Sequence, residues 1–129
     1  SIRLSGLEER AVPMTGDYLT DDIGSGYDLV LAIATLSFVE QEMAGLMKKL
    51  YKAMNPGGVL LCYSEGIERD GSGPWDMMLG WLPYNMQGYN LGVKKNEITE
   101  AAMAAGFRSA EKRTGIYSTG NVDVDIFRK

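Results

Sequence analysis

The sequence predicts an α/β domain in which a parallel pair of buried strands closes on an antiparallel hairpin, and three observations carry that prediction. Two apolar runs, Tyr27-Asp28-Leu29-Val30-Leu31-Ala32-Ile33-Ala34 and Val59-Leu60-Leu61-Cys62-Tyr63, are continuous rather than alternating, which is how strands covered on both faces of a parallel sheet read. Between them, residues 38–54 place Val39, Met43, Leu46, Met47, Leu50, Tyr51 and Met54 at three- and four-residue steps, with Glu40, Lys48, Lys49 and Lys52 elsewhere. That spacing is an amphipathic helix, and strand, helix, strand implies a right-handed crossover between parallel neighbours. Near the carboxy end, Val122, Val124 and Ile126 alternate with Asp123 and Asp125, so a last strand is expected with the two aspartates facing solvent.

The other elements follow from local signals. Asn55-Pro56-Gly57-Gly58 ends the first helix, because proline cannot continue the hydrogen-bond ladder and glycine accepts a left-handed cap. A second helix fits Glu97–Ala105, with Asn96 as N-cap, Ile98, Ala101, Ala102 and Ala105 on one side, and Gly106 as its stop. Residues 107–114 and 121–127 read as closing strands, joined through Tyr117-Ser118-Thr119-Gly120 as a hairpin. Residues 10–15 read as one more short strand. Residues 66–92 hold six glycines, Trp75, Trp81, Tyr84, Tyr89, Met77, Met78 and Met86 without a clean period. Such a stretch after a strand's carboxyl end is either a ligand-covering loop or a helix and loop that pack on a partner or on the domain itself.

Bulk properties narrow the function classes. The 129 residues, 45% hydrophobic and 23% charged, suit one soluble folding unit. Seventeen acidic against thirteen basic residues, with no Lys/Arg cluster, argue against nucleic acid as a partner. No apolar run reaches the roughly 20 residues that span a bilayer, and no secretory pattern opens the chain, so neither membrane nor export is expected. The single cysteine, Cys62, sits in an apolar run and points to a buried thiol in a reducing compartment, the cytoplasm by default. No metal-binding pattern is read. The chain begins at Ser1 without an initiator methionine, as a processed protein or a piece of a longer one would.

The order of these pieces resembles class I S-adenosylmethionine (SAM)-dependent methyltransferases, and within them small-molecule O-methyltransferases. Four signals carry the resemblance: Gly16-Asp17-Tyr18 after the early segment, Gly26-Tyr27-Asp28-Leu29-Val30 opening the next strand, Leu50 to Met54 running into Asn55-Pro56-Gly57-Gly58, and Ala104-Ala105-Gly106-Phe107. In that family they correspond to the acidic adenine-binding turn, the fourth strand, the junction before the fifth strand, and the lead into the sixth. The resemblance implies a partial Rossmann-like sheet, strands three or four to seven of the family with its terminal antiparallel hairpin. Residues 1–129 would be the carboxy-terminal part of the catalytic domain, without the glycine-rich turn and ribose-binding acid that lie upstream in the family. Alone, this part should bind SAM poorly.

The resemblance also assigns residues. Asp17 would accept a hydrogen bond from the adenine amino group and Tyr18 would flank the ring. Ala32 and Ile33, at the end of the fourth strand, would border the methionine portion. Trp75, Met78, Trp81 and Tyr84 would wall a small, partly apolar acceptor. Leu36-Ser37-Phe38-Val39-Glu40-Gln41-Glu42 is similar to the family's "L-H-x-W-x-D-E", whose histidine deprotonates the acceptor hydroxyl. Here Ser37 takes that place in a chain with no histidine, so no ordinary near-neutral base is present. Ser37 is expected instead to cap the following helix, with Glu40 completing a capping box. Glu65 matches an acid that orients the base in some members and is expected as an exposed strand-end glutamate, with substrate contact or weak base chemistry as its other roles. Asp28 is expected to be structural. In the family the fourth strand sits beside the first; without the first two strands its apolar edge would be bare, so a homodimer is expected, edge to edge or by exchange of residues 10–15. Two competing readings remain, a non-catalytic module acting in oligomerisation or regulation and an NAD-binding fold.

Overall fold

A computed structural model describes residues 6–39, 41–89, 92–117 and 120–129. Strand β1 is Tyr27–Ile33, followed by a 3-10 turn at Leu36–Phe38, helix α1 at Met43–Ala53, strand β2 at Met54–Ser64, helices α2 at Trp75–Met86 and α3 at Glu97–Ala105, and strands β3 at Ser109–Tyr117 and β4 at Gly120–Arg128. The sheet order is β1-β2-β4-β3. The two apolar runs lie side by side and point the same way, with Leu29 opposite Val59 and Ile33 opposite Tyr63. β4 runs antiparallel to both neighbours and enters between β2 and β3. The parallel pair of apolar strands and the terminal antiparallel hairpin are therefore as expected from the sequence.

One face of the sheet is covered. α1 lays Met43, Leu46, Met47 and Leu50 against Leu60 and Cys62, and α3 adds Ile98 and Ala102 against Phe107 and Phe127. Phe107 stands edge-on to Tyr51 and tilted against Phe127, locking helix to hairpin. The other face of β1 is bare, with Leu29, Leu31 and Ile33 each more than half exposed. A continuous apolar run reports that two faces want cover; here only one has it. Among the described residues no helix is long and apolar enough to cross a membrane.

Several local expectations are corrected. Residues 10–15 form no strand. α1 begins at Met43 rather than Phe38, because residues 36–38 wind separately and drop Leu36 and Ser37 into the interior. β2 starts at Met54, so Asn55-Pro56-Gly57-Gly58 is not a helix cap but an irregular strand entry: the partner of Tyr27 is Met54 and that of Leu29 is already Val59. Gly58 fits because a Cβ there would meet the carbonyl oxygens of Asn55 at 2.9 Å and Tyr27 at 3.1 Å. Asn96 occupies the N-cap position of α3 without a side-chain cap bond, and its φ of 72° turns it left-handed. Within residues 66–92, Trp75–Met86 form the helix α2.

Burial raises the Cys62 thiol to about 12, with the nearby Asp125 charge adding to the effect. The native chain should resist alkylation near neutral pH while the urea-unfolded chain reacts at once. Equal rates in the two states, followed by mass spectrometry, would contradict the buried position.

Candidate functional site

Parallel strands joined by a crossover place their carboxyl ends together, and in open α/β sheets ligands sit beyond those ends. Beyond the end of β1, Ala34 takes a positive φ of 52°, a strained turn for a residue with a side chain. It swings the chain so that Ser37 meets Glu65, the first residue past β2. The Ser37 hydroxyl reaches both carboxylate oxygens of Glu65, at 2.7 and 2.8 Å. Both side chains are buried, at 2% and 4% exposure. Two expectations are thereby overturned. Ser37 makes no helix cap, since no side-chain cap bond closes the turn it occupies, and its supposed capping partner Glu40 lies outside the described residues. Glu65 is buried rather than exposed, because the serine supplies the donor that a sequestered carboxylate requires.

A second constellation forms around Asp17. Its carboxylate Oδ1 accepts from the Leu19 amide at 2.9 Å, while its own amide donates to Asp21 Oδ2 at 2.9 Å. A side chain at residue 16 would meet that same Asp21 oxygen at 2.7 Å, which is why glycine precedes the aspartate. Next to this turn lies an apolar cavity of about 220 Å³ whose walls include Tyr18, Ile23, Ala32, Thr35, Leu46 and Leu50. Tyr18 and Ala32 thus face one space, with Asp17 in the adjoining hollow of about 150 Å³. Ile33 does not join them; it projects from the bare face of β1 and is 52% exposed. An apolar slot with a carboxylate beside it suits a flat heterocycle carrying an amino group.

The aromatic segment divides in the same way. Trp81 and Tyr84 line a cavity of about 460 Å³ together with Phe38, Asp76, Met77 and Gly80, and Trp81 packs edge-on against Phe38 at 5.7 Å. Trp75 is 66% exposed and Met78 turns toward Gly71, so neither lines it. Phe38, read in the sequence only as a helix-start residue, belongs to this cavity because it neighbours Ser37 and shares its turn.

Four polar residues were misplaced or missed. Asp123 and Asp125 are each 2% exposed, not solvent-facing. Asp123 accepts from Thr114 Oγ1 at 2.7 Å and Asp125 from Thr99 Oγ1 at 3.3 Å. Lys112 bridges the pair at 3.3 and 3.2 Å. Burial raises the Asp125 carboxyl above its ordinary value, against the opposing pull of the Lys112 charge and hydrogen bond. Lys49, expected only as part of the polar side of α1, donates to the carbonyls of Tyr18 at 3.0 Å, Leu19 at 3.2 Å and Asp21. Asp28 is structural as expected, accepting from Asn55 Nδ2 at 2.8 Å.

No protein-family model matches the chain. It is 30% identical over 115 residues to acetylserotonin O-methyltransferase of Gallus gallus, an alignment covering 88% of this chain and 33% of that protein. Among solved structures, an O-methyltransferase family protein from Burkholderia thailandensis superposes with a TM-score of 0.79 at 18% identity, over 99% of this chain and 38% of that one. Human N-acetylserotonin methyltransferase in complex with SAM gives 0.70 at 22% identity, over 90% of this chain and 33% of that one. The chain spans a third or less of the length of the curated relatives it matches.

Proposed function

We propose that the chain is the carboxy-terminal portion of a class I SAM-dependent methyltransferase domain, a reading that its likeness to O-methyltransferases supports, and that it supplies the adenine-facing and acceptor-facing side of an enzyme that methylates a small-molecule hydroxyl. The observation that carries this reading is the buried Ser37–Glu65 pair at the carboxyl ends of β1 and β2, one residue from the aromatic cavity at Phe38. Asp17 and Tyr18 would hold the adenine, Ala32 the methionine side, and Trp81 and Tyr84 the acceptor. Ile33, Trp75 and Met78 are assigned no contact. SAM, when bound, supplies an activated methyl on sulfur, so the protein's task is mostly alignment and proton removal. Ser37 keeps lone pairs free while its O–H is directed at the Glu65 carboxylate. It can accept the proton of an acceptor hydroxyl as it passes its own to the carboxylate, which ends the step protonated.

S-adenosylhomocysteine added to the isotopically labelled protein should shift the amide signals of Tyr18 and Ala32. Asp17→Asn should weaken that binding about tenfold, the equivalent of one charge-assisted hydrogen bond. Because this portion alone is expected to bind weakly, the ligand is raised to millimolar concentration; shifts confined to residues other than Tyr18 and Ala32, or none at all, would count against these two as cofactor contacts.

The bare edge and face of β1 support a homodimer in this reading. Light scattering should give the mass of two chains, and Leu31→Glu that of one. A one-chain mass before substitution would refute the pairing. A cytoplasmic setting accords with the buried free thiol of Cys62.

A further inference from the structure

The turn that carries Asp17 and Tyr18 is closed locally but tied down from elsewhere. Its internal bonds run from the Thr20 and Asp21 amides to the Asp17 carbonyl, from the Leu19 amide to the Asp17 carboxylate, and from the Asp17 amide to Asp21. Those bonds shape the turn without fixing where it stands against the sheet. Among the described residues, the hydrogen bonds that join residues 17–22 to another element all come from Lys49 of α1. An ammonium group has three donors and no acceptor, and here each donor takes one carbonyl, of Tyr18, Leu19 and Asp21. Carbonyls aimed at one point would otherwise repel one another and turn to water. The helix that holds Lys49 also presents Leu46 and Leu50 to the cavity shared with Tyr18, so tether and cavity wall belong to one rigid element.

We propose that Lys49 is the positioning residue of the adenine-facing turn, fixing the Asp17 carboxylate and the Tyr18 ring at the end of β1. The inference rests on the reading of Asp17 and Tyr18 as the adenine contacts. The turn's internal bonds set its shape; α1 sets its place, and nucleoside affinity follows from both. Lysine is suited to this role by its length and by having no geometric preference among its donors, and arginine offers enough donors to replace it in part.

The test compares Lys49→Met and Lys49→Arg with the unsubstituted chain by hydrogen exchange, thermal midpoint and saturation-transfer spectroscopy with adenosine. Lys49→Met is expected to accelerate exchange at the amides of residues 18–22 about tenfold or more and to weaken the adenosine contact about tenfold. Amides of β2 and β4 should keep their protection, and Lys49→Arg should restore most of both effects. Unchanged exchange in Lys49→Met would overturn the proposal. So would acceleration spread through the sheet in step with a lower midpoint and not restored by arginine. If adenosine fails to bind the unsubstituted chain while Lys49→Met still frees the turn, the tether stands and the cofactor reading falls.

Discussion

Ser37→Ala should destabilise the native state by about 2–3 kcal/mol, the cost of leaving a buried charged acceptor without its donor. The Ser37 hydroxyl lies against both oxygens of Glu65, and with both residues almost wholly buried, water cannot step in without opening the ends of β1 and β2. The loss belongs to the orphaned carboxylate rather than to the serine. Replacing both partners, as in Ser37→Ala with Glu65→Leu, should therefore be much milder than the single change. Urea denaturation of the two single variants and the double variant measures the coupling directly. A Ser37→Ala change below about 0.5 kcal/mol, the range of an ordinary surface substitution, would mean that the pair does not form in solution.

Lys112→Met should cost more, about 3–5 kcal/mol near neutral pH, because it strands two buried carboxylates at once. Asp123 and Asp125 sit on adjacent same-face positions of β4, each 2% exposed, and the single ammonium of Lys112 reaches both from the neighbouring strand. The pH dependence has a definite sign. Burial already raises the Asp125 carboxyl above its ordinary value in the presence of Lys112, so the native state holds this proton more tightly than the unfolded chain. Such a group weakens the fold above its native pKa and ceases to do so as the pH falls through that value. Removing Lys112 removes the opposing pull and raises the carboxyl further. The penalty of Lys112→Met should then be largest near pH 7 and shrink as the pH is lowered toward about 4. Adding Asp125→Asn should recover a large part of it. Urea midpoints across that range decide the matter; a penalty that grows on acidification would reverse the assignment of charge.

These two clusters show where local reading loses its grip. The alternation of Val122, Val124 and Ile126 with Asp123 and Asp125 separates two faces of β4, but alternation is symmetric and does not say which face is covered. The usual inference put the aspartates outside. β4 instead inserts between β2 and β3, α3 folds across the aspartate face, and Thr99, Thr114 and Lys112 arrive to make that burial tolerable. Ser37 and Glu65 were each noticed singly, yet they are 28 residues apart and no spacing rule couples them. Lys49 was assigned by the helical wheel to solvent, and the wheel cannot see a loop that returns from residues 18–21.

Features set by near neighbours were legible from the residues alone. The apolar runs of β1 and β2, the span Glu97–Ala105 with its Gly106 stop, the antiparallel pairing of β3 with β4 and the parallel crossover all follow from periodicity, turn chemistry and chain handedness, which act over a few residues. Which polar groups come together is settled by the packed fold: Ser37 with Glu65, Lys112 with two aspartates, Lys49 with three carbonyls. Each of those outcomes depends on balancing desolvation against a partner brought from a distant segment, and that balance is struck only once the layers have closed.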